Sequence, residues 1–114
     1  MELEDLRREA TAGQVEAMND LAITLYRRDE RWEAHTWWER AAEKGDPDAM
    51  FNLGELLRQS GRLHEAEGWW RRAAELGQPQ AMYALAILLE RSSLRWESKM
   101  WLQRAAEACY RRRR

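Results

Sequence analysis

The sequence has few helix-breaking residues and lacks the features of membrane or secreted proteins. Only two prolines and six glycines interrupt 114 residues in which Ala, Leu, Glu and Arg predominate, and this composition favours helix. No apolar run approaches the roughly 20 residues that span a bilayer, and the acidic start from Met1 to Asp5 does not fit a signal peptide. Because the single Cys109 cannot form an internal disulfide and fits a reducing compartment, we expect a cytoplasmic protein without membrane contact.

Side chains for catalysis or metal binding are also scarce and scattered. His35 and His64 stand at non-equivalent positions of the repeat described below, and no Cys or Asp cluster with metal-ligand spacing accompanies them. Glu39 and Glu43 fit a solvated helix face, and Cys109 has no base partner at a recognisable distance. The chain has no glycine-rich phosphate loop and no nucleophile motif. We therefore expect no catalytic residue, no metal, no cofactor and no enzymatic activity.

The net charge of -1 conceals an uneven distribution. Residues 91–114 carry eight basic and two acidic side chains, a net +6, so the first 90 residues sum to -7. Clustered arginines such as residues 111–114 attract phosphates in general. The body of the chain is acidic, however, and no arginine stripe runs along it. We expect a solvated, frayed terminus here, with nucleic-acid contact as the least favoured function.

The dominant feature that is present is an internal repeat of 32 residues. Residues 17–48 align without a gap with residues 49–80, and fourteen of the 32 positions are identical, including the pair Trp37-Trp38 and its counterpart Trp69-Trp70. A third copy follows, and the start of the chain matches the second half of a copy. The sequence thus predicts a single domain composed of a half repeat at 1–16, repeats at 17–48 and 49–80, and a third repeat with a basic tail at 81–114.

Each copy predicts two antiparallel helices. In the middle copy the first runs over about Asp48–Gln59, with apolar residues at the three-and-four spacing of one buried face, and the second over about Leu63–Leu76. Gly61 is placed to end the first helix and Gly77 the second, each in the left-handed conformation that glycine adopts readily. The position of Gly61 is occupied in the other copies by Asp29 and Ser93.

One helix pair cannot bury both of its faces, so the copies must stack to be stable. Trp38 and Trp70 are expected to fill the space between helices, each burying on the order of 150–250 Å², and Leu102 takes their place in the last copy. Small residues that let each first helix approach its partner stand at Ala22, Gly54 and Ala86. The predicted fold is all-α, a right-handed α-solenoid of antiparallel helix pairs with about seven helices.

The middle copy resembles the tetratricopeptide repeat, whose pattern is W-x2-L-G-x2-Y, then A-x3-F, then P. It reads Met50-x2-Leu53-Gly54-x2-Leu57, followed by Ala66-x3-Trp70 and Pro79. The aromatic pair followed by x-Arg-Ala-Ala-Glu-x-Gly is similar to the Sel-one-like branch. The resemblance implies a non-catalytic adaptor or scaffold that binds a protein or peptide partner on a concave surface formed mainly by the first helix of each pair.

Nine residues would line this concave surface if the resemblance holds. Three are aromatic and two are isoleucine, which favours an apolar peptide or helix as the ligand. Packing along the inner groove is the alternative for Phe51 and Tyr83. The nine residues are Asn19, Ile23 and Tyr26 in the first copy, Phe51, Glu55 and Arg58 in the second, and Tyr83, Ile87 and Glu90 in the third.

The third copy departs from the pattern because it ends in Cys109 and Tyr110 instead of glycine and a linker. Without a polar capping helix, the flank that should meet a next repeat is exposed. This predicts either a fragment of a longer array or a homo-oligomer formed through the uncapped ends, with Trp101 and Tyr110 as candidate contacts. Trp32 and Trp96, at the starts of second helices, indicate either a contact patch or a shielded lid on the helix turn.

Overall fold

The structure is a computed structural model that describes residues 3–92 and 94–113, with side chains up to Arg111. These residues form seven helices and no strand, and each helix packs mainly against its neighbours along the chain. The helices are α1 (Leu3–Thr11), α2 (Val15–Arg27), α3 (Arg31–Glu43), α4 (Pro47–Gln59), α5 (Leu63–Glu75), α6 (Pro79–Arg91) and α7 (Arg95–Arg113). The prediction of an all-α solenoid built from helix pairs is confirmed.

The helices recur with the period of the sequence repeat. We call α2, α4 and α6 the A helices, and α1, α3, α5 and α7 the B helices. The A helices begin at Val15, Pro47 and Pro79, which are 32 residues apart. The bounds of α4 and α5 each differ from the predicted bounds by one residue, at the start of α4 and at the end of α5.

The turns take the backbone conformations that their residues favour. Gly61 has a φ of +80° after α4, and Asp29 takes a φ of +63° at the equivalent place after α2. The predicted counterpart in the third copy, Ser93, lies outside the described residues. Before α4, the Asp46 side chain accepts a hydrogen bond from the backbone N–H of Ala49 at 3.2 Å. The first turn of α4 therefore has a side-chain cap as well as a proline, which needs no hydrogen-bond partner for its nitrogen.

The last helix is longer than the pattern predicts. α7 has 19 residues, whereas α3 and α5 have 13 each, and it continues as helix through Arg113. The expectation of a frayed basic terminus is therefore wrong for the described part of the chain. The physical reason is the replacement of glycine and linker by Cys109 and Tyr110, which leaves no residue that favours a left-handed stop.

The core is made of alanine, leucine and tryptophan contributed by every helix pair. Trp38 and Trp70 are 4% and 2% exposed, so the prediction that they fill the space between helices is confirmed. Alanines of the B helices are buried in the same core, and their small side chains let the helix axes approach closely. The buried alanines in the three B helices α3, α5 and α7 are Ala34, Ala41, Ala42, Ala66, Ala73, Ala74 and Ala105.

The indole N–H groups of Trp38 and Trp70 donate hydrogen bonds to different kinds of acceptor. The Nε1–H of Trp38 donates to Oδ1 of Asn19 at 2.9 Å. The equivalent of Asn19 in the next repeat is Phe51, whose side chain cannot accept, and the Nε1–H of Trp70 donates instead to the Phe51 backbone carbonyl at 3.3 Å. In this position the indole of Trp70 lies against Gly54, where a Cβ atom would overlap the ring. Gly54 is thus required by the placement of Trp70.

The first tryptophan of each Trp pair, and Trp101 in the last copy, carries an arginine above its ring. The arginine stands three residues later on the same helix, so the two side chains lie on one face. The guanidinium carbon lies 4.9 Å from the ring centroid for Arg40 and Trp37, 4.7 Å for Arg72 and Trp69, and 5.1 Å for Arg104 and Trp101. Each such cation–π contact contributes about 0.5–1 kcal/mol at an exposed site.

Among the described side chains, arginine–glutamate pairs join successive B helices at both ends of the stack. Arg7 of α1 donates to both carboxylate oxygens of Glu33 in α3. Arg71 of α5 donates to Oε2 of Glu97 in α7 at 2.6 Å. These hydrogen bonds lower the pKa of Glu33 and of Glu97 below their usual values. Both carboxylates are therefore held in the charged form that the bridge requires.

The junction between α3 and α5 lacks this bridge. Glu39 of α3 stands at the position of Arg7 and Arg71, and the Glu65 carboxylate pairs instead with Arg62 at 2.7 Å, just before its own helix. Between α3 and α5, two glutamates, Glu39 and Glu65, therefore occupy the positions at which the other two junctions have an arginine and a glutamate.

Replacing Gly54 with Ala should lower the free energy of unfolding by about 1–3 kcal/mol, because a methyl group forced against the Trp70 indole overpacks the core. Gly68→Ala is the matched control, since a Cβ there meets no atom within 4 Å and the substitution should stabilise α5 by about 0.5–1 kcal/mol. Urea unfolding of both variants measures the difference. Equal effects at the two positions would contradict the fit of Trp70 on Gly54.

Replacing Glu39 with Arg should supply the missing bridge to Glu65 and raise the free energy of unfolding by about 0.2–1 kcal/mol, the usual range for an exposed ion pair. Thermal and urea unfolding measure the gain. The same substitution made together with Glu65→Gln should gain less, because the bridge then has no carboxylate. A gain of the same size in both backgrounds would show that the effect does not come from this pair.

Candidate functional site

Grooves lie between successive A helices, at equivalent places in the repeat. The small groove, between α2 and α4, has a volume of about 380 Å³ and is lined by Ile23, Tyr26, Trp38 and Leu56 among others. The C-terminal groove, formed by α4 to α7, has a volume of about 1130 Å³. Its lining residues include Phe51, Glu55, Arg58, Trp70, Tyr83, Ala84, Ile87, Leu88, Arg91, Leu102, Ala105, Ala106 and Cys109.

The C-terminal groove is larger because it continues over α7. Trp70 lines it in the same way that Trp38 lines the small groove, and both are buried. The next residue in this series is Leu102, which is 38% exposed. Ala106 is also exposed, although its equivalent in α5, Ala74, is buried. The surface that a following A helix would cover is therefore open and apolar.

Five of the nine predicted site residues line the C-terminal groove. Tyr83 and Ile87 present exposed side chains, and Phe51 is partly buried against the core. Arg58 donates to Glu55 at 3.2 Å, so the polar part of the lining is an ion pair. The groove thus combines exposed apolar surface with a small number of fixed charges, which is the usual composition of a binding pocket.

The remaining predicted residues lie elsewhere. Ile23 and Tyr26 line the small groove, where the Tyr26 hydroxyl donates to Oε1 of Gln59 at 2.9 Å. Asn19 lines neither groove, and its Oδ1 accepts from Trp38 and from Nδ2 of Asn52 at 3.2 Å. Glu90 is exposed in the last turn of α6 and lines neither groove.

The predicted self-association residues differ in their exposure. Trp101 is 3% exposed, and its Nε1–H donates to Oε2 of Glu97 at 3.3 Å, so it packs within its own chain. Tyr110 is exposed on α7. Trp32 and Trp96 are 87% and 68% exposed, and the interpretation of these two as a shielded lid is wrong. Leu102 and Ala106 add exposed apolar surface on α7, and neither was among the predicted site residues.

A signal for the open surface exists in the sequence. The series Trp38, Trp70, Leu102 loses its tryptophan at the last step, and the series Gly45, Gly77, Cys109 loses its glycine. The first change leaves space beside α6, and the second removes the tight turn that would lead into a covering helix. Together they mark the place where the repeat pattern ends.

Within 3–92 and 94–113, no three His, Cys, Asp or Glu side chains come together as metal ligands. No helix in this part of the chain combines the length and apolarity needed to cross a membrane.

The family model described as tetratricopeptide repeat matches residues 15–44 and 48–78, more than half of the chain. No curated protein is matched by the sequence. The chain is similar in structure to c5321, a protective antigen present in uropathogenic Escherichia coli strains that displays an SLR fold, with a TM-score of 0.85 and 25% identity over 92% of this chain. It spans 25% of the length of c5321.

Other solved structures support the same fold. A Sel1 repeat protein from Oxalobacter formigenes superposes with a TM-score of 0.84 at 22% identity, and the match covers 94% of this chain and 91% of that protein. MamA superposes with a TM-score of 0.72 at 21% identity, over 96% of this chain and 68% of MamA. The family match, the 32-residue helix period and these neighbours agree, and the chain belongs to the tetratricopeptide repeat family, with Sel1-like repeat proteins among its structural neighbours.

Proposed function

We propose that this chain is a non-catalytic, cytoplasmic protein-interaction module that binds an apolar segment of a partner protein in the C-terminal groove. The observation that supports this most is the open apolar lining formed by Phe51, Tyr83, Ile87 and Leu102. Exposed aromatic and aliphatic residues that share one groove are typical of partner-binding surfaces. The tetratricopeptide and Sel1-like families, which are generally non-catalytic interaction scaffolds, support the same function.

The small groove is a weaker candidate for the same role. Its volume is about a third of that of the C-terminal groove. The Tyr26 hydroxyl is already bonded to Gln59, and the Tyr26 ring lies 5.7 Å from that of Trp38. These contacts join α2 to α3 and α4, so the lining residues here contribute mainly to packing between repeats.

Self-association through the C-terminal end is the second candidate. The exposed residues Leu102, Ala106 and Tyr110 favour it, because an apolar surface at the end of a solenoid can pair with another copy. Nucleic-acid binding has less support, since the groove is mostly apolar and its arginines are accompanied by Glu55.

The double variant Phe51→Ala, Tyr83→Ala should lose at least tenfold in affinity for peptides selected from a random phage-displayed library on the unmodified protein. Both substitutions remove aromatic surface from the groove lining, and aromatic side chains supply much of the binding free energy at such surfaces. Fluorescence anisotropy with the selected peptides measures the affinity, and circular dichroism verifies that the helix content is unchanged.

The matched control is Trp32→Ala, Trp96→Ala, which removes two exposed aromatic residues that do not line the groove. It should leave the affinity within about twofold of the unmodified value. Selected peptides that bind the groove variant normally, or that lose affinity only in the control, would reject the C-terminal groove as the binding site.

A further inference from the structure

In the two earlier copies, the surface of the B helix that is equivalent to the open surface of α7 is covered by the A helix that follows. After α3 the chain returns as α4, and after α5 it returns as α6, and each B helix contacts the A helix that follows it. Trp38 and Ala42 on α3, and Trp70 and Ala74 on α5, are buried in the resulting stack. The equivalent residues on α7, Leu102 and Ala106, are exposed. The open surface beside α6 and α7 is therefore the position that the next A helix would occupy.

The tight turn that leads into the next A helix elsewhere is absent from the described part of α7. The turns after α3 and α5 contain Gly45 and Gly77, with φ values of +96° and +93°. At the same place α7 has Cys109 and continues as helix to Arg113, six residues beyond Glu107, the equivalent of the last residue of α3 and α5. At 1.5 Å per residue the helix extends about 9 Å past the point where the chain would turn.

We propose that the groove is occupied by an acidic amphipathic helix of a partner protein, which packs against α6 and α7 as the next A helix would. This rests on the proposed function and names the class of ligand that the groove takes. The apolar residues of the partner helix follow the spacing of Ala49, Met50, Leu53 and Leu57 on α4, the residues that a real A helix buries in this stack. The partner helix binds at the position that the next A helix would take, which is a form of helix-in-groove binding.

The charge of the C-terminal part indicates an acidic partner. Residues 91–114 carry a net +6, and Arg58 and Arg91 line the groove itself against one carboxylate, Glu55. A helix with acidic side chains outside its apolar stripe would be attracted to this end of the molecule. Two of the chain's three A helices have an acidic residue in the first turn, Glu16 in α2 and Asp48 in α4, whereas α6 has none.

A second copy of this chain fits the open surface less well. The A helices α2, α4 and α6 already bury their apolar stripes, with Leu21, Leu53 and Leu85 at most 1% exposed. A copy would have to unfold in part to present one of them. Pairing two α7 surfaces would instead bring together two segments of net charge +6, which repel each other.

The probe for this inference is a fluorescein-labelled synthetic peptide with the sequence of residues 46–60, which contains α4 and its cap. It carries the apolar spacing described above, three acidic residues and one basic residue, a net -2. The titration uses the full chain and fluorescence anisotropy. We expect saturable binding for this peptide and at least tenfold weaker binding for a scrambled peptide of the same composition. A third peptide with Asp46, Asp48 and Glu55 changed to their amides should bind at least threefold more weakly at low salt.

The groove side of the interaction is tested with Leu102→Glu. This substitution places a carboxylate in the apolar lining and should weaken peptide binding at least tenfold. Gln103→Glu is the matched control, because it introduces the same side chain at the next position of α7, which does not line the groove. It should change the affinity less than twofold. Both positions are exposed, so neither variant is expected to disturb the fold, and circular dichroism verifies this.

The outcomes separate this inference from the function on which it rests. If phage-selected peptides bind through Phe51 and Tyr83 but the α4 peptide does not bind, or binds equally well to the Leu102→Glu variant, the helix inference is wrong and the groove function stands. If no peptide depends on Phe51 and Tyr83, the groove function itself is wrong. Sedimentation velocity that shows a dimer abolished by Leu102→Glu would make a second copy the occupant and would also overturn the inference.

Discussion

The packing of one large indole between helices that approach closely is the interaction on which this structure depends. Trp38 and Trp70 are buried in successive helix pairs, and Gly54 leaves the space that the Trp70 ring needs. Because Trp70 donates to a backbone carbonyl and lies on Gly54, one position without a side chain fixes the approach of α4 and α5. A solenoid has no single centre, so each such contact stabilises its own repeat and the next.

The candidate site follows from the place where this packing stops. Leu102 replaces the tryptophan of the earlier copies, and no A helix follows α7 in the described part of the chain. The space that would hold an indole and a covering helix is instead a groove of about 1130 Å³. Its lining includes Leu102 and Ala106, which are exposed although the equivalent residues of the two earlier copies are buried. Function is thus proposed for the position at which the stabilising pattern ends, next to a segment of strong positive charge.

Most of the fold could be predicted from the sequence because each copy of the repeat has the residue pattern of the same helix pair. The bounds of α4 and α5, the turn at Gly61 and the burial of Trp70 follow from periodicity and residue type. The lining of the groove was predicted in part, since the resemblance to the tetratricopeptide repeat placed Phe51 and Tyr83 on a shared surface, and both line the C-terminal groove. Whether Asn19 faces a groove or accepts a hydrogen bond from Trp38 depends on the orientation of the indole, which spacing does not determine. The burial of Trp101 likewise depends on contacts between distant helices.

Hydrogen exchange of the indole N–H groups, observed by NMR with assignments from single Trp→Phe variants, tests the stacking of the repeats most directly. Trp38 and Trp70 are buried and hydrogen-bonded, so their indole protons should exchange only when the stack opens, in the slowest class of the protein. Trp32 and Trp96 are exposed and should exchange close to the rate of a free indole. Exchange of Trp38 and Trp70 as fast as that of Trp32 would contradict the account.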